Sequence, residues 1–262
     1  DVILDLDATG EAMVLPDDVD GGSYDDTGIV EYLVSPTVFT CADAGLQELT
    51  LTVVDAAEQS SQCTANVLVR DALEPIAVTR NVGIFLNENG AALLLPNRVD
   101  NGSSDNCGIV SRAVTPDAFD CGDLGPREVL LTVRDASDNF ASATATVTVQ
   151  DALPPVLACR QNIEVALDAD GIATIDASSL VTDASDNCGI VDLSLSAAVF
   201  TCADLGVNTV TVTALDASNN AGGCAVQVTV LDDTPPDLVC RDVDINLGAD
   251  GTATIDPADV VE

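Results

Sequence analysis

The residues of this chain with chemistry to offer are Asp, Asn and Cys, and they recur at fixed intervals. Ser185-Asp186-Asn187-Cys188-Gly189-Ile190-Val191 matches Ser104-Asp105-Asn106-Cys107-Gly108-Ile109-Val110, and an eroded copy stands at Tyr24-Asp25-Asp26-Thr27-Gly28-Ile29-Val30. The intervals are 80 and 81 residues. A second acidic position, Asp55, Asp135 or Asp216, opens a turn such as Asp135-Ala136-Ser137-Asp138-Asn139. A third precedes proline: Asp71-Ala72-Leu73-Glu74-Pro75, Asp151-Ala152-Leu153-Pro154-Pro155 and Asp232-Asp233-Thr234-Pro235-Pro236. Of the 44 acidic residues, 35 are Asp and 9 are Glu. Asp is short, favours turns and caps, and is a hard oxygen ligand for Ca²⁺. Glu would serve for solubility alone.

The same census removes several functions. A net charge of −36 repels nucleic acid and anionic membranes. All eight basic residues are Arg, with no Lys and no His. That leaves no Ser-His-Asp, Cys-His or Schiff-base arrangement. Paired carboxylates remain as a catalytic device. Similar acidic loops in every repeat nevertheless point to a shared structural task, and the segment is read as not an enzyme. Without His or Cys-x-x-Cys, zinc is not expected. The nine Cys at repeating positions indicate disulfides and an oxidising, extracellular setting, secreted or on a cell surface. No apolar run reaches membrane-spanning length, so no membrane insertion is expected in this segment.

The elements that carry these residues are strands. Turn glycines Gly10, Gly90, Gly171 and Gly251 are spaced 80, 81 and 80 apart, each in a polar tetrad flanked by alternating apolar residues. The pattern reads as a hairpin. The Asp-Asn-Cys-Gly loop and a short strand follow. A Phe-x-Cys step comes next (Phe39/Cys41, Phe119/Cys121, Phe200/Cys202), then two strongly alternating strands. About seven short strands per unit read as a β-sandwich. One helical turn is expected at 176–180. With 47% hydrophobic residues, no Trp and 3% aromatics, the cores must be Val, Leu, Ile and Ala. Proline cannot donate to a ladder, so the Pro steps mark boundaries. These give repeats at 1–74, 75–154 and 155–235, and a partial fourth at 236–262 holding first strands only. Residues 242–262 repeat the pattern of 1–21, as expected for a slice of a longer array.

The pattern Pro-Pro…Cys…Asp-Asn-Cys-Gly…Phe-x-Cys…Val-x-Asp-Ala-Ser-x-Asn…Cys…Val-x-Val-x-Asp resembles the HYR (hyalin) repeat, most closely the versions in long secreted bacterial surface proteins. The resemblance covers essentially the whole chain. It implies tandem immunoglobulin-like sandwiches arranged as an elongated rod and an adhesive or structural extracellular role, and it names no catalytic residue. Repeat 1 departs from the pattern at Thr27, and repeat 2 at Thr79 and Ala143.

Those departures suggest a pairing code. Repeat 3 has four cysteine positions filled by Cys159, Cys188, Cys202 and Cys224, whereas repeat 2 keeps only Cys107 and Cys121. The first and fourth positions are lost together, which predicts Cys159–Cys224, Cys188–Cys202 and Cys107–Cys121. Cys41–Cys63 is the fallback in repeat 1, and Cys240 is expected to pair beyond Glu262.

In an immunoglobulin-like topology the linker, the B–C loop and the F–G loop meet at one pole, facing the A–B turn of the preceding domain. Between repeats 1 and 2 this gathers Asp7, Asp71, Glu74, Asp105, Asn106, Asp135, Asp138 and Asn139. Between repeats 2 and 3 it gathers Asn87, Asn89, Asp151, Asp183, Asp186, Asn187, Asp216, Asn219 and Asn220. Between repeats 3 and 4 it gathers Asp168, Asp170, Asp232 and Asp233. These are the expected Ca²⁺ ligands; the competing reading is that Asp and Asn here simply form turns. The function expected is an extracellular stalk, fibre or filament stiffened by disulfides and Ca²⁺. Its partners would be further copies of the repeat in a longer chain, with self-assembly into a fibre. The alternatives are a glycan- or protein-binding module, for which Tyr24 and Tyr32 are the candidates, and an accessory region of a larger secreted enzyme.

Overall fold

The computed structural model describes residues 2–260; Asp1, Val261 and Glu262 lie outside it. The chain divides into two compact units, Asp1–Leu153 and Pro154–Glu262. The division falls within the Asp151-Ala152-Leu153-Pro154-Pro155 step.

The first unit holds two β-sandwiches. In repeat 1 the strands are β1 (Val2–Asp5), β2 (Glu11–Met13), β3 (Ile29–Ser35), β4 (Val38–Thr40), β5 (Gly45–Asp55) and β6 (Ser60–Arg70). They form a sheet ordered β1-β6-β5-β3 opposite a β2-β4 pair. Repeat 2 copies this with β7 (Val82–Phe85), β8 (Ala91–Leu93), β9 (Ile109–Thr115), β10 (Ala118–Asp120), β11 (Gly125–Asp135) and β12 (Phe140–Gln150), ordered β7-β12-β11-β9 with a β8-β10 pair. The arrangement is immunoglobulin-like: two sheets with a first strand running parallel to the last.

One local expectation needs correction. The tetrad turn is present, with Gly10 N–H donating to Asp7 O at 2.9 Å and Gly10 at φ 77°. The strands beside it do not form a hairpin. β1 pairs in parallel with β6, Val2 opposite Val67, and β2 pairs with β4. Alternation told which side of each strand is buried but not which neighbour supplies its ladder. Leu4, Leu6, Ala12 and Val14 all point into one core with Val34, Phe39, Leu49, Val67 and Val69. A chain that crosses from one sheet to the other at the turn satisfies that pattern as well as a hairpin does.

The second unit holds the third sandwich. Its strands are β13 (Val156–Cys159), β14 (Asn162–Ala166), β15 (Ile172–Thr174), β16 (Val181–Ser185), β17 (Ile190–Leu195), β18 (Val199–Thr201), β19 (Gly206–Asp216) and β20 (Ala221–Leu231). The sheet order β14-β20-β19-β17 matches the other repeats, with β15-β18 opposite and an added β13-β16 pair. Cys159 on β13 is bonded to Cys224 on β20, Cα–Cα 6.2 Å. The core is aliphatic around one aromatic, with Val210, Val212, Val226, Val228, Val230 and Leu180 packed on Phe200. Phe39, Phe119 and Phe200 are all buried in their own repeats. The helical turn at Ala177–Leu180 is capped by Asp176, which accepts from Ser178 N–H.

Residues 232–260 contain turns, a bridge residue at Cys240 and a 3-10 turn at Pro257–Asp259, but no strand among the described residues. No helix among the described residues is long and apolar enough to cross a membrane.

Candidate metal centre

Three acidic positions of the first unit converge where repeat 1 meets repeat 2. Asp71 lies just after β6 at the start of the linker, Asp105 lies in the loop before β9, and Asp135 ends β11. Each contributes a carboxylate oxygen to a group in which all lie within 4.8 Å of one another. Asp71 is 4% exposed and Asp135 1%.

Local turn chemistry fixes each of them. Asp135 Oδ1 accepts from the N–H groups of Ser137 (2.8 Å) and Asn139 (2.9 Å), closing a turn whose Asp138 has φ 69°. Asp135 Oδ2 accepts from Asn139 Nδ2 at 2.8 Å, and the same amide donates to Asp71 O at 3.2 Å. Asp105 Oδ1 accepts from Cys107 N–H at 2.8 Å. Asn106 Nδ2 donates to Asp71 Oδ1 (3.2 Å) and to Asp7 O (3.1 Å). Turn formation and ligation are compatible at Asp105, because they call on different oxygens of its carboxylate. One oxygen of Asp105 makes the turn and the other faces the group. Asp71 Oδ2, Asp105 Oδ2 and Asn106 Oδ1 are buried and accept no hydrogen bond among the described residues.

Buried acceptors without donors cost about 1–3 kcal/mol each. Carboxylate oxygens within 4.8 Å of one another repel, by about 3 kcal/mol per pair or more at an effective dielectric of about 20. None of the ion pairs among the described residues relieves this: Arg70 holds Asp5, Arg112 Asp100, Arg127 Asp123 and Arg134 Asp138. The arrangement fits a hard cation, with oxygen donors only and orphaned acceptors pointing at one place.

A disulfide sits beside this group, and it overturns part of the expected pairing. Cys107 is bonded to Cys41 of the preceding repeat, Cα–Cα 5.4 Å, and not to Cys121. Cys63 and Cys202 carry free thiols, so neither Cys41–Cys63 nor Cys188–Cys202 forms; Cys121 and Cys188 are each disulfide-bonded. The physical reason is which end of the sandwich each position occupies. The Phe-x-Cys sulfur lies against the A–B turn, Cys41 Sγ 3.6 Å from Gly10 O and Cys121 Sγ 3.7 Å from Gly90 O. The Asp-Asn-Cys-Gly sulfur lies at the other pole, among the linker residues. Cys107 accordingly meets Cys41 of repeat 1. A Cβ at Gly10 would stand 2.7 Å from Cys41 Sγ and 3.0 Å from Asn106 O, so the turn must be glycine for the repeats to close this tightly.

Residues 150–230 match the HYR domain. The matched segment runs from Gln150 to Val230 and takes in the four-cysteine repeat. No curated protein matches the chain. Among solved structures, an I-band fragment of titin aligns at 12% identity over 88% of this chain and 95% of its own, with a TM-score of 0.40. Cadherin domains 1–4 of protocadherin gamma B7 align at 13% identity over 86% of this chain and 70% of theirs, with a TM-score of 0.33.

Elsewhere in and around the HYR segment the remaining expected ligands take separate places. In the second unit Asp186 and Asp216 bring carboxylate oxygens within 4.8 Å of each other, and Asp186 Oδ2 is buried and accepts nothing among the described residues. Asp216 Oδ1 accepts from Ser218 and Asn220 N–H as Asp135 does from its own turn, and Asn219 supplies the positive φ of 66°. Asn187 neighbours Cys188, 3.7 Å from its sulfur. Asp151, at the end of the first unit, is buried and accepts from Leu153 N–H. Asp138 points outward, 87% exposed at its side chain, and takes Arg134. Asp168 is exposed and closes its own turn by accepting from Asp170 and Ile172 N–H. Asp183 is exposed on β16, opposite Ala158. Asp170 and Asp233 are exposed, and Asp232 accepts from Thr234. The Thr234 hydroxyl and N–H hold the Asp232 carboxyl below its ordinary range. Asp7 reaches the junction through its carbonyl, while its carboxylate stays in its own turn with Thr9 and Glu11. Sequence reading missed the Cys41–Cys107 bond. The available signal was that the third Cys of one repeat and the second Cys of the next are both present.

Proposed function

We propose that the chain is a stretch of an extracellular structural or adhesive array, part of a stalk, fibre or filament, in which Ca²⁺ held by Asp71, Asp105 and Asp135 joins repeat 1 to repeat 2. One observation carries this reading. Asp71 Oδ2, Asp105 Oδ2 and Asn106 Oδ1 are buried without donors beside Asp135, and no basic side chain among the described residues is paired with the carboxylates. The mixed donor set of carboxylates and an amide oxygen suits Ca²⁺. It takes six to eight oxygens in flexible geometry, whereas Mg²⁺ demands a near-ideal octahedron. The HYR match over residues 150–230 and the disulfides support an extracellular place. Tandem recurrence of the same linker, loop and turn supports a repeating, load-sharing role over a single binding pocket.

The test is metal analysis and titration calorimetry on the full, disulfide-intact chain, with small-angle scattering in Ca²⁺ and in EDTA. Ca²⁺ is expected to bind, to stabilise by about 2.7 kcal/mol at a hundredfold excess over its dissociation constant, and to be lost from this junction in Asp71→Asn and Asp105→Asn. The scattering profile is expected to shift to a more variable shape in EDTA. Identical Ca²⁺ stoichiometry in wild type and both variants would overturn the assignment.

A further inference from the structure

We infer that the Cys41–Cys107 bond and the cation reinforce one another: the disulfide positions Asp105 and Asn106 for the ion, and the ion shields the disulfide from reduction. The inference rests on the cation reading above and adds its regulation.

The connection is short. Cys107 follows directly on Asp105 and Asn106, which carry two of the three orphaned acceptors. Its N–H is the donor that sets the Asp105 carboxylate, at 2.8 Å. Its sulfur lies 3.5 Å from Asn106 Nδ2. Cys41 Sγ, from repeat 1, lies 3.6 Å from Asn106 O. The third carboxylate beside this loop, Asp71, belongs to the end of repeat 1, and Asp135 belongs to repeat 2. The bond therefore registers the Asp105–Cys107 loop of repeat 2 covalently against repeat 1. With the bond cut, the loop is held to repeat 1 by the two hydrogen bonds of the Asn106 amide. Repulsion among the three carboxylates then pushes it away.

Coupling of two events through one loop is reciprocal. If the bond lowers the cost of gathering the oxygens, bound Ca²⁺ must lower the tendency of the loop to open. Cys41 and Cys107 are both half-buried, so a reductant reaches the sulfurs through that opening. In the reduction, one thiolate of a dithiol attacks either sulfur and forms a mixed disulfide. The second thiol of the reagent then closes its own disulfide. Two electrons pass to the protein bond, and two protons end on the Cys41 and Cys107 thiols.

The experiment follows reduction of the full chain by dithiothreitol, with alkylation and mass-spectrometric mapping, in excess Ca²⁺ and in EDTA. Ca²⁺ is expected to slow the appearance of alkylated Cys41 and Cys107 by about tenfold. It should leave Cys159–Cys224 unchanged and have no effect on either bond in Asp105→Asn, which keeps the Oδ1 acceptor for the Cys107 N–H. A rate at Cys41 and Cys107 that is independent of Ca²⁺ overturns the inference, as does equal slowing in Asp105→Asn. As a second measurement, Cys41→Ser with Cys107→Ser is expected to bind Ca²⁺ about tenfold more weakly than wild type at this junction. Equal affinity overturns the inference. Calorimetry on the oxidised wild type separates the two claims. If the junction binds no Ca²⁺, the cation reading falls and takes this inference with it. If it binds but the reduction rate does not respond, only the inference falls.

Discussion

The loops of repeat 1 and repeat 2 share one design in two settings. In repeat 1, Asp25 Oδ1 accepts from Thr27 N–H and hydroxyl, and Asp55 Oδ1 accepts from Ala57 and Gln59 N–H. In repeat 2, Asp105 Oδ1 and Asp135 Oδ1 make the same turns. The difference lies in the other oxygen and in what covers it. Asp25 is exposed and Asp55 half-exposed, whereas Asp135 is buried and Asp105 Oδ2 is sealed against Asp71. Where repeat 1 has Thr27 and Gln59, repeat 2 has Cys107 and Asn139, which reach into the preceding repeat. A turn-forming Asp becomes a candidate ligand only when a second repeat is packed onto it.

The comparison breaks most visibly at the cysteine. Cys107→Ser is expected to cost about 3 kcal/mol in denaturant unfolding of the full chain, while Thr27→Ser costs about 0.5 kcal/mol or less. Equal effects would mean the bond adds nothing that an exposed loop lacks. Next comes the strand-ending Asp. Asp135→Ala is expected to lose about 2–3 kcal/mol, because it removes a buried carboxylate that accepts from Ser137 N–H and from both the N–H and the amide of Asn139, against about 1 kcal/mol for Asp55→Ala, whose carboxylate is half-exposed. Thermal unfolding of the two variants decides it. The amide is smaller again: Asn139→Gln is expected to cost about 1 kcal/mol through loss of its bridge between Asp135 and Asp71, and Gln59→Asn close to none.

The smallest effect is in the pH dependence. Burial works to raise the Asp100 carboxyl of repeat 2, but Ser103 and the Arg112 guanidinium outweigh it and hold the group below its ordinary 3.8. A carboxyl depressed in the folded state adds stability above its unfolded value, and that stability is lost as pH falls through the folded value. Asp100→Asn should therefore flatten the acid limb of stability below about pH 4, read as melting temperature against pH. An unchanged acid limb would remove the pair from the account.

Much of this was legible in the sequence. The cores followed from alternation, since Val210, Val212, Val226 and Val228 face inward as period two requires. The convergence of Asp71, Asp105 and Asp135 followed from their recurrence and the implied topology. The pairing of β1 with β6 was not legible, because a turn such as Asp7-Ala8-Thr9-Gly10 fixes a change of direction without naming the next neighbour. Nor was the Cys41–Cys107 bond, because correlated loss reveals partners within a repeat and is silent about partners that both survive. The split use of Asp71 and Asp105 was hidden too, since burial of a second oxygen depends on another repeat closing over it.

The parallel run of β1 beside β6 has a consequence under tension. Pulled along the chain, β1 is drawn one way from its start and β6 the other way from its end, so the ladder from Val2↔Val67 to Asp5↔Arg70 is loaded in shear. Its hydrogen bonds share the force and must give way together, where an antiparallel hairpin pulled from its open end would unzip one bond at a time. β7 with β12 and β14 with β20 present the same geometry. Each repeat is therefore built to resist extension between its own first and last strands.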